Sequence, residues 1–236
     1  MVKLILVTGD KGGVGKSFLS RLLLDWFLKS GVSVRAFDTD KTNSTLYRFY
    51  PDKNIVQHLD VDQSDDLDGL LNLLAELAVD KMEHVVLLDC AARTLDALMK
   101  WMQDVDFASH KQELSIGFTI AFVMGPERDC VVILKDVANH FQSLADYVII
   151  KNLAKGSRFS TYDESQTRTF LLETLKATEI ELPKLLEKTS MVLDRSSLSF
   201  SSALDHTDVQ IADRSRVRTY QERINHLFSG GADKWI

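Results

Sequence analysis

Residues 7–18, VTGDKGGVGKSF, combine four glycines with two lysines and indicate the fold class of this chain. It overlaps a short apolar run, KLILVT (3–8), which predicts a buried strand. It leads into KSFLSRLLLDWFLKSG (16–31), where apolar residues recur at helical spacing and Gly31 predicts the helix end. A glycine-rich loop between a buried strand and a long helix is where a parallel sheet presents a helix N-terminus to an anion.

The loop has the composition of a phosphate-binding loop. Its glycines let the backbone curl so that several N–H groups point inward, and the helix N-terminus adds a partial positive charge. Lys16 can reach the β- and γ-phosphates of a nucleotide, and the Ser17 hydroxyl can ligate Mg²⁺. A glycine-rich turn without a ligand is the simpler alternative, but the Lys-Ser pair and the strand–loop–helix context favour a nucleotide. The residues predicted to contact the nucleotide are Gly12, Gly13, Val14, Gly15, Lys16, Ser17 and Phe18.

Short apolar strands alternate with longer amphipathic helices along the rest of the chain. Such alternation implies right-handed crossovers and a mainly parallel sheet covered by helices on both faces. We therefore predict a doubly wound α/β fold, formed as one domain over residues 1–236. Further strands are predicted at 32–38, 84–89, 115–125, 146–152 and 178–183, and helices at 64–81 (capped by Ser64), 93–105, 128–141, 162–177, from Pro183 onward, and 213–228.

The bulk composition narrows the class of protein. The 236 residues are 45% hydrophobic and 26% charged, as in an ordinary globular domain. No apolar run approaches the length of a membrane span, and the apolar start is too short for a signal peptide. Cys90 and Cys130 each lie in an apolar run, which suits buried reduced thiols in a cytoplasm. The net charge of −6 argues against broad attraction to nucleic acid, but it allows a local basic patch.

The loop departs from the general phosphate-loop pattern, and the departure points to one family. Asp10 stands where the general pattern has its first glycine, and Lys11 precedes the glycine pair. DKGGVGKS thereby resembles the deviant Walker A motif of the ParA/MinD family of P-loop ATPases. The resemblance implies binding of ATP and Mg²⁺, a homodimer that closes on ATP, and slow hydrolysis stimulated by a partner. It also implies that Lys11 reaches the phosphates of the other subunit, where a lysine offsets the repulsion between facing triphosphates.

Two aspartates at the end of the second predicted strand, AFDTD (36–40), match the first switch of that family. The resemblance gives Asp40 the role of positioning the attacking water, so that Lys11, Lys16 and Asp40 form the implied catalytic set. Asp38 is placed nearer the magnesium ion, at the sheet edge where such folds bind ligands. A turn cap is the alternative role for Asp38. Lys41 and Thr42 replace the usual Pro-Gln of the family.

Later strand ends complete the resemblance. Asp89 follows the apolar run VVLL and matches the Walker B aspartate, which holds Mg²⁺ through a water. The implied metal set is therefore Ser17, Asp38 and Asp89. The family usually follows this aspartate with one residue and two prolines, and CAA (90–92) in their place should leave the second switch less rigid. Asn152 is implied to bond the adenine edge, with a turn former as the alternative.

The predicted C-terminal helix is the local feature that indicates what kind of partner the protein binds. Arg214, Arg216 and Arg218 lie on its polar side, and apolar residues recur at helical spacing on the other side. Partition ATPases of this family bind non-specific DNA through basic residues late in the chain, and arginines on one surface suit phosphate contacts. Membrane binding is disfavoured because the helix has few lysines. Solvated arginines on an ordinary surface helix are the simpler alternative.

The resemblance favours a cytoplasmic, ParA-like switch in plasmid or DNA partition, or in plasmid stability. Its implied partner is a centromere-binding protein or another activator or cargo protein. A MinD-like membrane-associated positioning ATPase and a metabolic ATP-dependent enzyme on the same scaffold are the alternatives. An iron–sulfur reductase is disfavoured because Cys130 falls inside an apolar helical pattern.

Overall fold

A computed structural model of the chain describes residues 1–9, 11–92 and 94–235, with only the backbone at residue 232. Asp10, Arg93 and Ile236 lie outside the described residues. The departure from the phosphate-loop pattern at Asp10 and the predicted helix start at Arg93 therefore lie outside the described residues. The same holds for the last residue of the predicted domain.

The sheet is parallel throughout, as the alternation of strands and helices predicts. Within the described ranges it has seven strands, in the order β3-β2-β4-β1-β5-β6-β7. The order reverses direction at β1, so the crevice at the carboxyl end of β1 is the expected ligand site of such a sheet. The strands are β1 (Val2–Gly9), β2 (Ser33–Asp38), β3 (Val56–His58), β4 (His84–Asp89), β5 (Gly117–Met124), β6 (Asp146–Asn152) and β7 (Thr178–Leu182).

Helices cover both faces of the sheet. None of the described helices is long and apolar enough to cross a membrane. They are α1 (Lys16–Lys29), α2 (Thr45–Phe49), α3 (Ser64–Val79), α4 (Leu95–Asp104), α5 (Phe107–Glu113), α6 (Arg128–Phe141), α7 (Ser160–Asp163), α8 (Gln166–Thr169), α9 (Glu187–Arg195), α10 (Ser202–Asp205), α11 (Ile211–Ser229) and α12 (Ala232–Trp235), with a 3₁₀ turn at Gln142–Leu144 and a π-helical turn at Phe170–Thr174.

The central strand divides the apolar core into two layers. Ile5 and Val7 face a layer that contains the apolar residues of α1 and α11. Leu4 and Leu6 face a second layer that contains those of α3 and α6. Side chains alternate between the faces of a strand, so a run buried on both faces carries no polar alternation. This explains the continuous apolar sequence of β1.

The C-terminal helices are fixed to α1 by buried polar groups. Asp25 accepts hydrogen bonds from the backbone N–H of Ser201 (3.0 Å) and from Nε2 of Gln221 (2.7 Å). Arg21 donates to the carboxylate of Asp194 on α9 (3.1 Å), and its guanidinium lies 3.3 Å from the ring centre of Phe49 on α2. Buried charges with several partners are costly to disrupt. These contacts therefore hold α2, α9 and α11 in fixed positions around α1.

Some predicted helix boundaries are wrong. The predicted helix at 162–177 is broken because Ser165 adopts extended backbone and caps α8, its hydroxyl accepting from the N–H of Arg168 (3.1 Å). No helix begins at Pro183, because its carbonyl accepts from the hydroxyl of Tyr220 (2.8 Å) and the next helix begins at Glu187. Ser64 is the first helical residue and not the cap, which is Gln63.

Candidate functional site

The carboxyl ends of β1, β2 and β4 surround a cleft of about 890 Å³. The strand register places the two strand-end aspartates next to each other, because Asp89 lies beside Val7 on one side and beside Asp38 on the other. The cleft is lined by the phosphate loop, by residues 39–43 of the first switch and by residues 89–92 of the second. Of the residues predicted from the sequence, it is lined by Gly12, Gly13, Gly15, Lys16, Ser17, Phe18, Asp40 and Asp89.

The backbone of the phosphate loop requires glycine at two positions. Gly13 has φ +81° and Gly15 has φ +113°, both in the left-handed region that side chains disfavour. A Cβ atom on Gly15 would also lie 2.4 Å from Nδ2 of Asn152. Gly15 is the N-cap of α1, so the loop delivers the backbone N–H groups of the first helical turn directly to the cleft.

Lys16 lies inside the loop and not on the surface. Its side chain is buried, lines the cleft and donates a hydrogen bond from Nζ to the carbonyl oxygen of Lys11 (2.9 Å). This contact holds the ammonium group beside the curled backbone. The ammonium group of Lys16 adds to the positive potential of the N-terminus of α1, and together the two suit an anionic ligand.

Lys11 lies at the outer rim of the loop. Its Nζ contacts the carboxylate of Asp129, at the start of α6, at 2.8 Å. The ammonium group lowers the pKa of Asp129. Both side chains are more than half exposed, so this ion pair contributes little stability and is easily exchanged for another partner. The predicted contact of Lys11 with a second subunit stays a prediction.

Asp89 is a buried carboxylate at the bottom of the cleft. One of its oxygens accepts from the hydroxyl of Ser20, one helical turn after Ser17, at 2.9 Å. Burial raises the pKa of Asp89 to about 7; the nearby Asp38 acts in the same direction, whereas Ser17, Ser20 and Lys16 oppose the rise. An uncompensated carboxylate of this kind would gain from a cation. Ser17 and Asp89 therefore fit a Mg²⁺ site.

Asp38 acts as a cap in the folded chain. One carboxylate oxygen accepts from the N–H of Asp40 (2.9 Å), and the other accepts from the N–H groups of Leu46 (2.9 Å) and Tyr47 (3.2 Å) at the start of α2. Burial nevertheless raises its pKa. This is the capping role that the sequence left open, here for a helix. The magnesium role of Asp38 stays a prediction, and Asp38 is not among the residues that line the cleft.

Asp40 lines the cleft and organises the first switch. Its carboxylate accepts from the N–H groups of Thr42 (2.9 Å) and Asn43 (3.0 Å). Burial acts to raise the pKa of Asp40, but these hydrogen bonds outweigh it and hold the pKa below its usual range. Lys41, which replaces the usual proline, forms ion pairs with Asp60 and Asp62 after β3. Lys41 is more than half exposed, so these ion pairs contact the segment after β3 but contribute little stability.

Thr39, between the two aspartates, is a residue that the sequence analysis missed. Its backbone N–H and its hydroxyl both donate to the carbonyl oxygen of Asp89 (3.1 Å each). The same hydroxyl accepts from the N–H of Ala91 (2.8 Å). Thr39 thus ties the first switch directly to the second. A hydroxyl between two strand-end aspartates was the only sequence signal for this role.

Asn152 supports the phosphate loop from below. Its Nδ2 donates to the carbonyl oxygen of Val14 (2.7 Å), and its Oδ1 accepts from the N–H of Ala154 (3.0 Å). The residue is buried and is not among those that line the cleft. Its amide is therefore used within the chain, and the adenine contact implied for Asn152 stays a prediction. Val14, which was predicted to contact the nucleotide, contacts Asn152 through its backbone carbonyl oxygen.

The three arginines predicted to bind DNA differ in their surroundings. Arg214 donates to the carbonyl oxygens of Val209 (2.8 Å) and His206 (2.7 Å), so its guanidinium fixes the loop before α11 and is a poor phosphate ligand. Arg216, itself partly exposed, forms an ion pair with the buried carboxylate of Asp213 (3.0 Å). Arg218 is exposed on the same helix. Two of the three residues thus remain candidates for a phosphate surface.

The arrangement has the donors of a polyphosphate site and one strong ligand for a divalent cation. Within residues 1–9, 11–92 and 94–235, no group of three or more His, Cys, Asp or Glu side chains is placed to hold a metal by itself. A Mg²⁺ ion at Ser17 and Asp89 would therefore need phosphate oxygens and water to complete its ligands, as is usual for nucleotide-bound magnesium. Cys90 and Cys130 are both buried, and burial raises the pKa of the Cys90 thiol to about 12.

Comparisons with known proteins agree with this site. The profile of the CobQ/CobB/MinD/ParA nucleotide-binding domain matches residues 5–197 of the chain. Protein MobD of Acidithiobacillus ferrooxidans is 23% identical over 227 residues, which cover 95% of this chain and 96% of MobD.

Solved structures share the fold at low identity. The septum site-determining protein MinD of Pyrococcus horikoshii, complexed with Mg-ADP, has a TM-score of 0.54 and 15% identity, and the match covers 95% of this chain and 96% of that one. A plasmid partition protein of Borrelia burgdorferi, so described provisionally and bound to AMPPNP, has a TM-score of 0.51 and 17% identity, covering 98% and 100%. Both likenesses concern the fold.

Replacing Thr39 with valine should weaken the link between the two switches. The variant keeps the shape of the side chain but leaves the N–H of Ala91 without its acceptor, so the free energy of unfolding should fall by about 1–2 kcal/mol. Urea denaturation measures this change. Thr42→Val, on an exposed side chain of the same loop, should change stability little. Equal stability of the Thr39→Val variant and the wild type would contradict the role of Thr39.

Asp89 should make the stability of the ligand-free protein depend on pH. Its pKa is about 7 when folded and near the ordinary 3.8 when unfolded, so the folded state binds more protons between these values. Stability due to this group is therefore greatest below pH 4 and falls as the pH rises to 7. Asp89→Asn removes the dependence, and its stability relative to the wild type should rise by about 2–3 kcal/mol between pH 5 and pH 8. Urea denaturation in EDTA measures the difference, and an equal difference at both pH values would refute the raised pKa.

Proposed function

This chain belongs to the family with the CobQ/CobB/MinD/ParA nucleotide-binding domain, and from that premise we propose that it is an ATPase switch. It binds ATP with Mg²⁺, dimerises in that state and returns to the monomer after hydrolysis. The observation that carries the proposal is the cleft itself. There the glycine loop, Lys16 and the N-terminus of α1 lie beside Ser17 and the buried Asp89.

The donor set supports ATP and Mg²⁺ as the cofactors. Lys16 and the loop N–H groups suit the β- and γ-phosphates, and Ser17 and Asp89 suit the metal shell. Mg²⁺ would supply neutralisation of the phosphate charge. Asp40 lines the same cleft with a lowered pKa, so it stays ionised at neutral pH and can accept a hydrogen bond from a water molecule. We assign it the positioning of the attacking water.

The position of Lys11 supports dimerisation as the output of ATP binding. Its ammonium group lies at the rim of the loop, in an exposed pair with Asp129. An exposed pair costs little to exchange, so the lysine can leave Asp129 for a phosphate that approaches on a second chain. Desolvation across a closing interface strengthens such a contact. Lys11 thereby makes closure of the dimer depend on the triphosphate.

Lysine variants should separate binding from dimerisation. Lys16→Ala should lower ATP affinity about 100-fold or more, because charge-assisted contacts to two phosphates are lost. Lys11→Ala should leave the ATP affinity of the monomer within about threefold and weaken the ATP-dependent dimer at least about tenfold. Calorimetry with a non-hydrolysable ATP analogue measures affinity, and sedimentation velocity measures the dimer.

The control for these variants is Lys100→Ala, which removes an exposed lysine of α4. It should change neither quantity. Normal ATP-dependent dimerisation of Lys11→Ala would remove the lysine from the interface. Normal ATP affinity of Lys16→Ala would overturn the assignment of the cleft.

For the biological role, we propose a cytoplasmic function in the partition or stability of plasmid DNA. Similarity over nearly the whole chain to MobD, and the fold shared with a plasmid partition protein, support this choice. The ATP-bound dimer would hold non-specific DNA, and a centromere-binding or other activator or cargo protein would trigger release. A dimer doubles the number of arginines that face the duplex, so affinity for DNA would rise with ATP.

DNA binding should depend on Arg216 and Arg218 and not on Arg214. Replacing Arg216 and Arg218 with alanine should lower affinity for a random-sequence duplex and reduce the slope of log affinity against log salt by about 2. Arg214→Ala should leave the slope unchanged and lower stability, because it removes hydrogen bonds to two carbonyl groups. Anisotropy titrations with and without ATP measure both, and an unchanged slope in the double variant would move the DNA surface elsewhere.

A further inference from the structure

A second groove lies on the same edge of the sheet, between the segment that follows β7 and the N-terminal half of α11. It has a volume of about 520 Å³, and Lys184, Leu186, Arg216, Tyr220 and Arg223 are among the residues that line it. A further hollow of about 380 Å³ lies along α9, which follows directly in the chain, and Lys188, Met191 and Arg195 contribute to it. We call the two together the α9–α11 groove.

Large apolar side chains are exposed along the α9–α11 groove. Leu186 is 50% exposed, Met191 is 57% exposed, and Ile211, beside the lining residue Ala212, is 86% exposed. Single exposed apolar residues are ordinary, but here Leu186 lines the first hollow, Met191 lines the second, and Ile211 lies at the start of α11, so the three form a group that is consistent with an interaction site. None of them belongs to the nucleotide cleft.

The charges around these apolar residues have one predominant sign. Lys184, Arg216 and Arg223 line the first hollow, and Lys188 and Arg195 line the second, whereas Glu187 is the one acid that appears among the described lining residues. The whole chain carries a net charge of −6, so this concentration of cations runs against its average. A cationic surface of this kind recruits acidic partners.

The walls of the groove are held in place before any ligand arrives. The hydroxyl of Tyr220 donates to the carbonyl oxygen of Pro183 (2.8 Å), which fixes the segment after β7 against α11. Asp213 accepts from Thr189 (2.7 Å) and Arg216 (3.0 Å), which fixes α9 against α11. A preformed groove binds without the cost of ordering itself.

We propose that the α9–α11 groove binds an acidic amphipathic segment of a partner protein. A helix with apolar residues on one face and carboxylates on its flanks matches both the exposed apolar side chains and the surrounding cations. Duplex DNA would satisfy the cations, but it would leave Leu186, Met191 and Ile211 against a charged backbone. A partner segment that buries the apolar groups therefore fits the groove better than DNA does, and Arg216, which lines the groove and is proposed above to face DNA, is the residue that the two partners would share. The groove would serve recognition of the partner, separately from the nucleotide.

The test uses the full chain and a synthetic helical peptide of about 16 residues, with leucines on one face and glutamates on the flanks. Its affinity is measured by fluorescence anisotropy, and its position by NMR of the Met191 and Ile211 methyl groups. We expect micromolar binding with shifts of both methyl signals. Lys184→Glu combined with Arg223→Glu should weaken binding at least about tenfold.

The matched control variant is Lys100→Glu combined with Lys135→Glu, which makes the same change in charge at exposed positions on α4 and α6. It should bind the peptide like the wild type. A peptide with lysines in place of the glutamates should not bind. Binding of the acidic peptide should be equal in Lys16→Ala, so failure of the proposed ATPase function would leave this result intact.

Three outcomes would overturn the proposal. The acidic peptide could fail to bind or to shift the two methyl signals. It could bind the groove variant and its control equally. Finally, a short random-sequence duplex or vesicles of anionic lipid could shift the Met191 and Ile211 signals while the peptide does not, which would make the groove a phosphate or membrane surface.

Discussion

The register of β1, β2 and β4 determines where the candidate site forms. It sets Val7, Asp89 and Asp38 side by side at one edge of the sheet. From that alignment follow the position of the phosphate loop after β1 and the burial of Asp89 under α1. The bond from Thr39 to the backbone of Asp89 follows as well. A shift of one residue in β2 or β4 would turn Asp38 or Asp89 to the opposite face of the sheet, so the pattern of apolar residues that fixes the register also fixes the site.

The sequence predicted the architecture and the loop well, because both depend on local patterns. A strand, a glycine loop and a helix are visible in 29 consecutive residues, 3–31, and the parallel sheet follows from alternation. The contacts that were not predicted are those between residues distant in the sequence. The amide of Asn152 donates to the carbonyl oxygen of Val14, 138 positions away in the sequence. The hydroxyl of Tyr220 donates to the carbonyl oxygen of Pro183, 37 positions away. No spacing rule foretells such bonds.

Polar groups inside the first core layer distinguish this chain from a simple packing of helices on a sheet. Asp25, Gln221 and Arg21 join α1 to the C-terminal helices by hydrogen bonds, where apolar residues would have sufficed for burial. Such groups fix one relative placement of the helices, because each alternative placement leaves a buried charge unsatisfied. Two of these helices, α9 and α11, form the walls of the α9–α11 groove, so the same polar groups determine its shape.

Arg21 has a mechanical consequence. Its guanidinium is stacked on Phe49 of α2, the helix that Asp38 caps behind the first switch. The same guanidinium donates a hydrogen bond to Asp194 on α9. A displacement of α2 must either strip the cation from its aromatic ring or drag the arginine, and with it α9. Arg21 therefore links the position of α2, behind the first switch, to that of α9, one wall of the α9–α11 groove.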